Sequence, residues 1–159
     1  MKGVSVIIAS AVVIVISVTA AFLALQYGTP AIDRTKEIML LQEGKDSLIS
    51  IDNSIMSVVE EGEGSTRNLR IVSSGGIYSI DEENERITFT MDTFSQIVGV
   101  GVSKMENGIN VTGEAGTISL VLNLNFNITG SGEFGKGSYN LVIRNEGYEN
   151  QKQVVSVMV

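Results

Sequence analysis

The sequence predicts an α+β protein: a long N-terminal hydrophobic α-helix followed by an all-β globular head of sandwich or immunoglobulin-like type. Three observations lead there. Residues 4–25 form an unbroken apolar run. Residues 31–61 repeat apolar side chains at helical spacing. From Asn68 onward the apolar period drops to two.

The first element is the run VSVIIASAVVIVISVTAAFLAL, 22 uncharged residues from Val4 to Leu25 with only Ser5, Ser10, Ser17 and Thr19 polar. As a helix it is about 33 Å long, enough to span the hydrocarbon core of a bilayer. Val and Ile favour strands in water, but a lone strand in lipid leaves its backbone unsatisfied, so helix is the single-pass solution. The alternative is a cleaved secretory signal, whose apolar stretch is shorter, about 7–15 residues, and precedes a small-residue cleavage site. Gly3, Ser10, Ser17 and Ala24 recur every seven positions, with Ala21 and Gly28 on nearly the same face. Small residues let helix backbones approach closely where hydrophobicity cannot drive association. The helix is therefore expected to pack against copies of itself through Val4, Ile7, Ser10, Val12, Ile14, Ser17, Ala21, Ala24 and Leu25. An Ala- and Ser-rich span also produces such a stripe by coincidence.

The second element follows Gln26-Tyr27-Gly28-Thr29-Pro30, where Gly28 and Pro30 predict a kink or a locally melted turn. Residues 31–61 then read as an amphipathic helix. Leu41, Leu48 and Ile55 are spaced by seven, and Ile51 and Val58 complete one apolar face. Those five residues are expected to pack the helix against the head. Gly44 reads as a weak point in it. The glycines of Glu60-Glu61-Gly62-Glu63-Gly64 stop the helix. The expected organisation is thus a helix over 1–61, a linker over 62–67 and a head over 68–159.

The head is read from its alternation. Thr117–Thr129, TISLVLNLNFNIT, turns Ile118, Leu120, Leu122, Leu124, Phe126 and Ile128 to one side, as a single long strand. Asn107-Gly108 signals a hairpin before Ile109–Thr112. Arg86–Thr93 follows an acidic turn at Asp81–Glu85, and Gly75-Gly76 marks another turn. Leu141–Ile143 and Val154–Val159 form the arms of a last hairpin around Asn145–Asn150. Gly99-Val100-Gly101 reads as a strand irregularity. Six to eight strands result.

Composition narrows the function. With 11 Lys+Arg against 18 Asp+Glu the net charge is −7, and residues 33–159 alone carry −8. That sign opposes nucleic acid as a partner. The 159 residues include no Cys and no His, which removes disulfides, thiolate chemistry, the commonest general base and the commonest transition-metal ligand. No phosphate loop, nucleophile elbow or calcium loop is present in the sequence. An enzyme is therefore not expected, nor a cofactor or a bound metal. Asn110-Val111-Thr112 and Asn127-Ile128-Thr129 are N-glycosylation sequons, expected to carry glycans if the head lies outside the cell.

Lys2-Gly3, the apolar helix, the Gly28/Pro30 kink, the amphipathic continuation and the β head occur in an order that resembles the type IV pilin superfamily. The absence of any acidic residue before Asp33, the lack of a disulfide and the β-rich head are most similar to archaeal pilins, archaellins and related adhesion filaments. The resemblance implies a structural subunit that polymerises through its N-terminal helix into an extracellular filament for adhesion or motility. It also implies a membrane-inserted precursor, a prepilin peptidase recognising Lys2 and Gly3, and an assembly machinery. Cleavage after Gly3 would start the mature chain at Val4. The rival expectation is a monomeric, membrane-anchored β-sandwich accessory protein of an archaellum or envelope-binding system.

Overall fold

A computed structural model describes residues 2–149 and 151–159. It contains one helix, α1 (Lys2–Glu61), and ten strands. These are β1 (Thr66–Ser73), β2 (Ile77–Asp81), β3 (Arg86–Asp92), β4 (Ser103–Glu106) and β5 (Ile109–Gly113), then β6 (Thr117–Asn123), β7 (Asn127–Thr129), β8 (Gly132–Phe134), β9 (Gly137–Glu149) and β10 (Lys152–Met158). The chain is therefore α+β, with a long apolar N-terminal helix and a β-rich head. Packing divides it into two units, Met1–Lys36 and Glu37–Val159. The division falls inside α1, whereas the sequence reading placed it at 62–67. The cause is the apolar face of residues 41–58, which belongs to the core of the second unit.

In the first unit α1 continues without interruption through Gly28 and Pro30, so the melted turn expected there does not form. Lys36 pairs with Asp33 at 3.3 Å on the exposed surface, a contact worth little.

In the second unit α1 ends at Glu61, and Gly62 follows with φ +96°. Ser65 Oγ lies 2.6 Å from the Val58 carbonyl and 2.7 Å from the Gly62 carbonyl, so its one proton is shared between an acceptor that the helix end leaves free and the residue after it. β1 starts at Thr66, two residues ahead of the expected head boundary.

The strands form two sheets, one of order β1-β9-β10-β7 and one of order β4-β5-β6-β3-β2-β8. All pairs are antiparallel except β7 with β10, where Ile128 faces Val155. Ten strands with a parallel pair depart from the seven-stranded antiparallel immunoglobulin arrangement. The Asn107-Gly108 hairpin joins β4 to β5 with both residues at positive φ (50° and 81°), as a two-residue hairpin turn requires. Gly75-Gly76 connects β1 of one sheet to β2 of the other.

Three expectations change. Residues 117–129 are not one strand: β6 ends at Asn123, residues 124–126 cross between sheets, and β7 joins the opposite sheet. The alternation persists because both sheets point inward to one core, so Leu122, Leu124 and Ile128 are all buried. The final hairpin is longer than expected. Its strand β9 runs to Glu149, so Asn145 lies within the sheet instead of in the turn. Gly99-Val100-Gly101 belongs to a loop between β3 and β4 and not to a strand.

One hydrophobic core joins the inner faces of both sheets to Leu41, Leu48, Ile51, Ile55 and Val58 of α1. Tyr78 of β2 stacks on Phe134 of β8 with ring centroids 4.9 Å apart, and meets Phe89 of β3 at 4.6 Å with the rings tilted by 47°. Gly44 is explained by that cluster: a Cβ there would meet the Phe89 ring at 2.5 Å. Gly76 approaches the same ring as closely, so two glycines make the slot that holds it. Along β1, α1 runs antiparallel to the strand. Glu61 pairs with Arg67 at one end, and Glu43 accepts from the Ser74 amide (2.6 Å) at the other. Between these two contacts an open groove separates the helix from the strand, lined by Gln42, Asp46 and Ser50 on one side and Leu69, Arg70 and Ile71 on the other.

Candidate functional site

The N-terminal half of α1 is the first candidate. It contains a window with mean hydropathy 2.8 of which 0% is buried, long and apolar enough to cross a membrane. Ile7, Val12, Ile14 and Leu25 are all exposed, Leu25 by 71%. Ser10, Ser17, Ala21 and Ala24 are exposed as well. The surroundings of Lys2, Gly3 and Val4 lie outside what the structure describes. Leaving such a surface in water costs about 25 cal/mol for each Å² of it. The helix therefore needs an apolar surrounding, either lipid or protein.

Its few hydroxyls suit that surrounding. Ser10 donates to the carbonyl of Ile7 (2.9 Å), Ser17 to that of Val13 (2.8 Å) and Thr19 to that of Val15 (2.8 Å). Each of these three hydroxyls spends its proton on its own helix, so none of the three is stranded when water is removed. Ile8, Ala11, Val12, Val15 and Ile16 frame a shallow apolar groove, where the small Ala11 leaves a dip between larger neighbours. This dip lies beside the expected small-residue positions and not on them.

The second candidate is the fixing of α1 to the head, within residues 37–159. Leu48, Ile51, Ile55 and Val58 are fully buried and Leu41 nearly so. Polar clamps close both ends of this face. At the first, the buried Glu37 carboxylate accepts from the Thr93 hydroxyl (2.7 Å), the Phe94 amide (3.0 Å), the Ser95 amide (3.3 Å) and the Ser95 hydroxyl. Burial pushes this carboxyl up, but the hydrogen bonds from Ser95, Phe94 and Thr93 outweigh it and hold it down at about 2. At the other end, the fully buried Asn145 donates from Nδ2 to the Val58 carbonyl (3.0 Å), and its Oδ1 accepts from the Gly147 amide (2.9 Å). Between them, Lys45 of α1 pairs with Glu106 of β4. Lys104 also donates to Glu106 (2.7 Å), and these two lysines hold its carboxyl at about 2, Lys104 contributing most.

Sequence reasoning missed both clamps. Glu37 had one signal: it stands four residues before Leu41, on the same helical face, where a charge is out of place. Asn145 had none, because its partners Val58 and Gly147 meet only in the folded chain.

The two sequon asparagines lie in strands. Asn110 is half-buried in β5, and its Oδ1 accepts from Ser103 Oγ at 2.7 Å. Asn127 is half-buried in β7. Among the described residues, no three His, Cys, Asp or Glu side chains converge as a metal site would require. The chain matches no family model, no curated protein and no solved structure.

Proposed function

We propose that this chain is a non-enzymatic structural subunit of an extracellular, type IV pilus-like filament, polymerising through the N-terminal half of α1. The observation that carries the reading is the contrast along one helix: residues 6–25 bury nothing, while residues 41–58 are locked into the head. In this reading lipid surrounds the apolar half first. An assembly machinery then transfers it into a bundle of copies, exchanging one apolar surrounding for another at little net cost. A prepilin peptidase acts near Lys2 and Gly3. The acidic heads form the outer sheath, and their like charge opposes bundling of filaments. Glycans on Asn110 or Asn127 add to that sheath where the amide nitrogen reaches solvent.

The test is electron microscopy of material sheared from cells, with mass spectrometry to identify the chain. Thin uniform filaments with this chain as the major protein support the proposal, and its peptides fix the mature N-terminus. Recovery only from detergent-extracted membranes overturns it. That result assigns the chain as a monomeric membrane-anchored accessory protein, for which the same helix is a permanent anchor.

A further inference from the structure

We propose that the groove between α1 and β1 binds an extended segment of another protein that carries basic side chains, its main chain pairing with the free edge of β1. The site lies wholly within residues 37–159 and does not depend on what surrounds the apolar half of α1. It holds for a filament subunit and for a permanently anchored protein alike.

The backbone of β1 is open toward the groove. β1 ends the four-stranded sheet, so within that sheet it pairs with β9 alone. Asn145 N donates to Ser65 O (3.0 Å), which turns Ser65 toward β9. The alternation of an antiparallel ladder then turns Asn68, Arg70 and Val72 the other way, together with Ser74. Ser74 agrees: its amide leaves the sheet to reach Glu43 of α1 (2.6 Å). The amides and carbonyls of Asn68, Arg70 and Val72 are therefore the groups that an added strand would use. Charged side chains on an edge discourage such pairing. Here Arg67 is engaged by Glu61 at one end of the groove, and Arg70 Nε turns back to Ser138 Oγ of β9 (3.0 Å). Neither guanidinium guards the stretch between them.

The helix wall selects the charge of the occupant. Gln42, Asp46 and Ser50 recur at helical spacing, with Glu43 and Ser47 beside them. Two carboxylates thus face a strand wall whose one cation, Arg70, is already turned to Ser138. A basic side chain finds complementary charge there. A second copy of the head does not, because residues 33–159 carry −8 and like charges would meet. The groove holds about 450 Å³. Its helix wall, from Met39 to Ser50, runs about 16 Å, the length of a strand of about five residues. Beneath it lies a polar group without a partner. Tyr78 is fully buried against Phe89 and Phe134, and its hydroxyl has no hydrogen-bond partner among the described residues. Burial pushes this phenol up, Ser47 draws it back and Glu43 adds to the rise. Both of those residues line the groove, so the hydroxyl lies under its floor. Ser47 Oγ can accept from Tyr78 while donating its own proton to a carbonyl of the bound segment, which satisfies both hydroxyls at once.

The test uses the full chain in mild detergent and a fluorescein-labelled heptapeptide of alternating valine and lysine, with the valine–glutamate heptapeptide as control. Fluorescence anisotropy should show saturable binding of the lysine peptide and none of the glutamate peptide. With the lysine peptide bound, amide exchange followed by NMR should slow at Asn68, Arg70 and Val72. Leu69 and Ile71, turned toward β9, should not change. Asp46 is exposed, so Asp46→Asn and Asp46→Lys should leave thermal unfolding nearly unchanged. Asp46→Lys should weaken binding by about tenfold or more, and Asp46→Asn by less. No saturable binding of the lysine peptide overturns the proposal. Binding that leaves the three amides unprotected also overturns it, because the peptide then sits elsewhere. Equal binding of both peptides, or unchanged affinity in both Asp46 variants, removes the charge selection and overturns it too. Protection of the three amides without peptide, growing with protein concentration, assigns the edge to a second copy and overturns it as well.

Discussion

Replacing Glu37 with Gln isolates one end of the attachment between α1 and the head. The carboxylate receives four donors, three at Oε2 and one at Oε1. An amide offers one acceptor oxygen, so its NH2 must face an N–H or O–H whichever way it turns. The carboxyl is lowered from 4.5 to about 2 in the folded chain. At about 1.4 kcal/mol per pH unit, that shift sets a ceiling of about 3.5 kcal/mol on its contribution. Solvent near the chain surface screens part of this, and about 2 kcal/mol is the expected loss at pH 7. The sign follows from the depressed value. The stabilisation is complete above about 4.5, where the unfolded carboxyl is also ionised, and is lost as the pH falls through about 2. The assay is thermal unfolding in mild detergent, followed by circular dichroism, for the wild type and Glu37→Gln between pH 7 and pH 2. Taking the difference between the two chains cancels the titration of other carboxylates, including Glu106. The difference should stay constant down to about pH 5, then narrow and nearly vanish at the acid end. A gap of the same size at every pH would refute the argument that the charged hydrogen bonds carry it.

Other outcomes follow from the same geometry. Asn145→Ala should destabilise the head by about 2–3 kcal/mol, because it removes two buried hydrogen bonds and strands the Gly147 amide; denaturant unfolding measures it. Gly44→Ala should lose about 1–2 kcal/mol, although Ala is the better helix former by about 1 kcal/mol, because its Cβ enters the Phe89 ring. Adding Phe89→Leu should recover part of that loss, and a stabilised Gly44→Ala chain would show the slot is not needed. Val12→Asp should abolish filaments in the sheared fraction, since an unpaired carboxylate within an apolar bundle costs about 3 kcal/mol or more in every copy. Normal filaments from that variant would sink the polymer reading. Asp52→Asn should be neutral to slightly stabilising, because burial raises that carboxyl and Asn carries no charge to desolvate.

Much of the architecture was legible because it rests on local periodicity. The apolar run and the face at Leu41, Leu48, Ile51, Ile55 and Val58 are patterns within a few turns of helix. The strands of seven or more residues repeat often enough to show alternation. The strands β4, β7 and β8, of four, three and three residues, do not. The crossing at residues 124–126 was hidden for a different reason: inward-facing side chains alternate in the same way whichever sheet carries them. Gly44 read as a flaw because its purpose depends on a ring 45 positions away. Position 37 continues the spacing 41, 44, 48, 51, 55, 58 backwards, and a charge on that face needed partners that only the fold supplies.

The way α1 is held has a mechanical consequence. Its attachment to the head is one straight face of about 31 Å, closed at Glu37 and again at Val58 by Asn145. A force applied to the helix at residue 37 and directed along its axis bears on every contact of that face together. It cannot peel them off one at a time, as a force perpendicular to the axis would. Resistance to an axial load is then set by the sum of the contacts, and resistance to a transverse one by the Glu37 clamp alone. The head is thus strongest along the line of its own helix, and weakening Glu37 should leave that strength largely intact while opening the joint to a sideways pull.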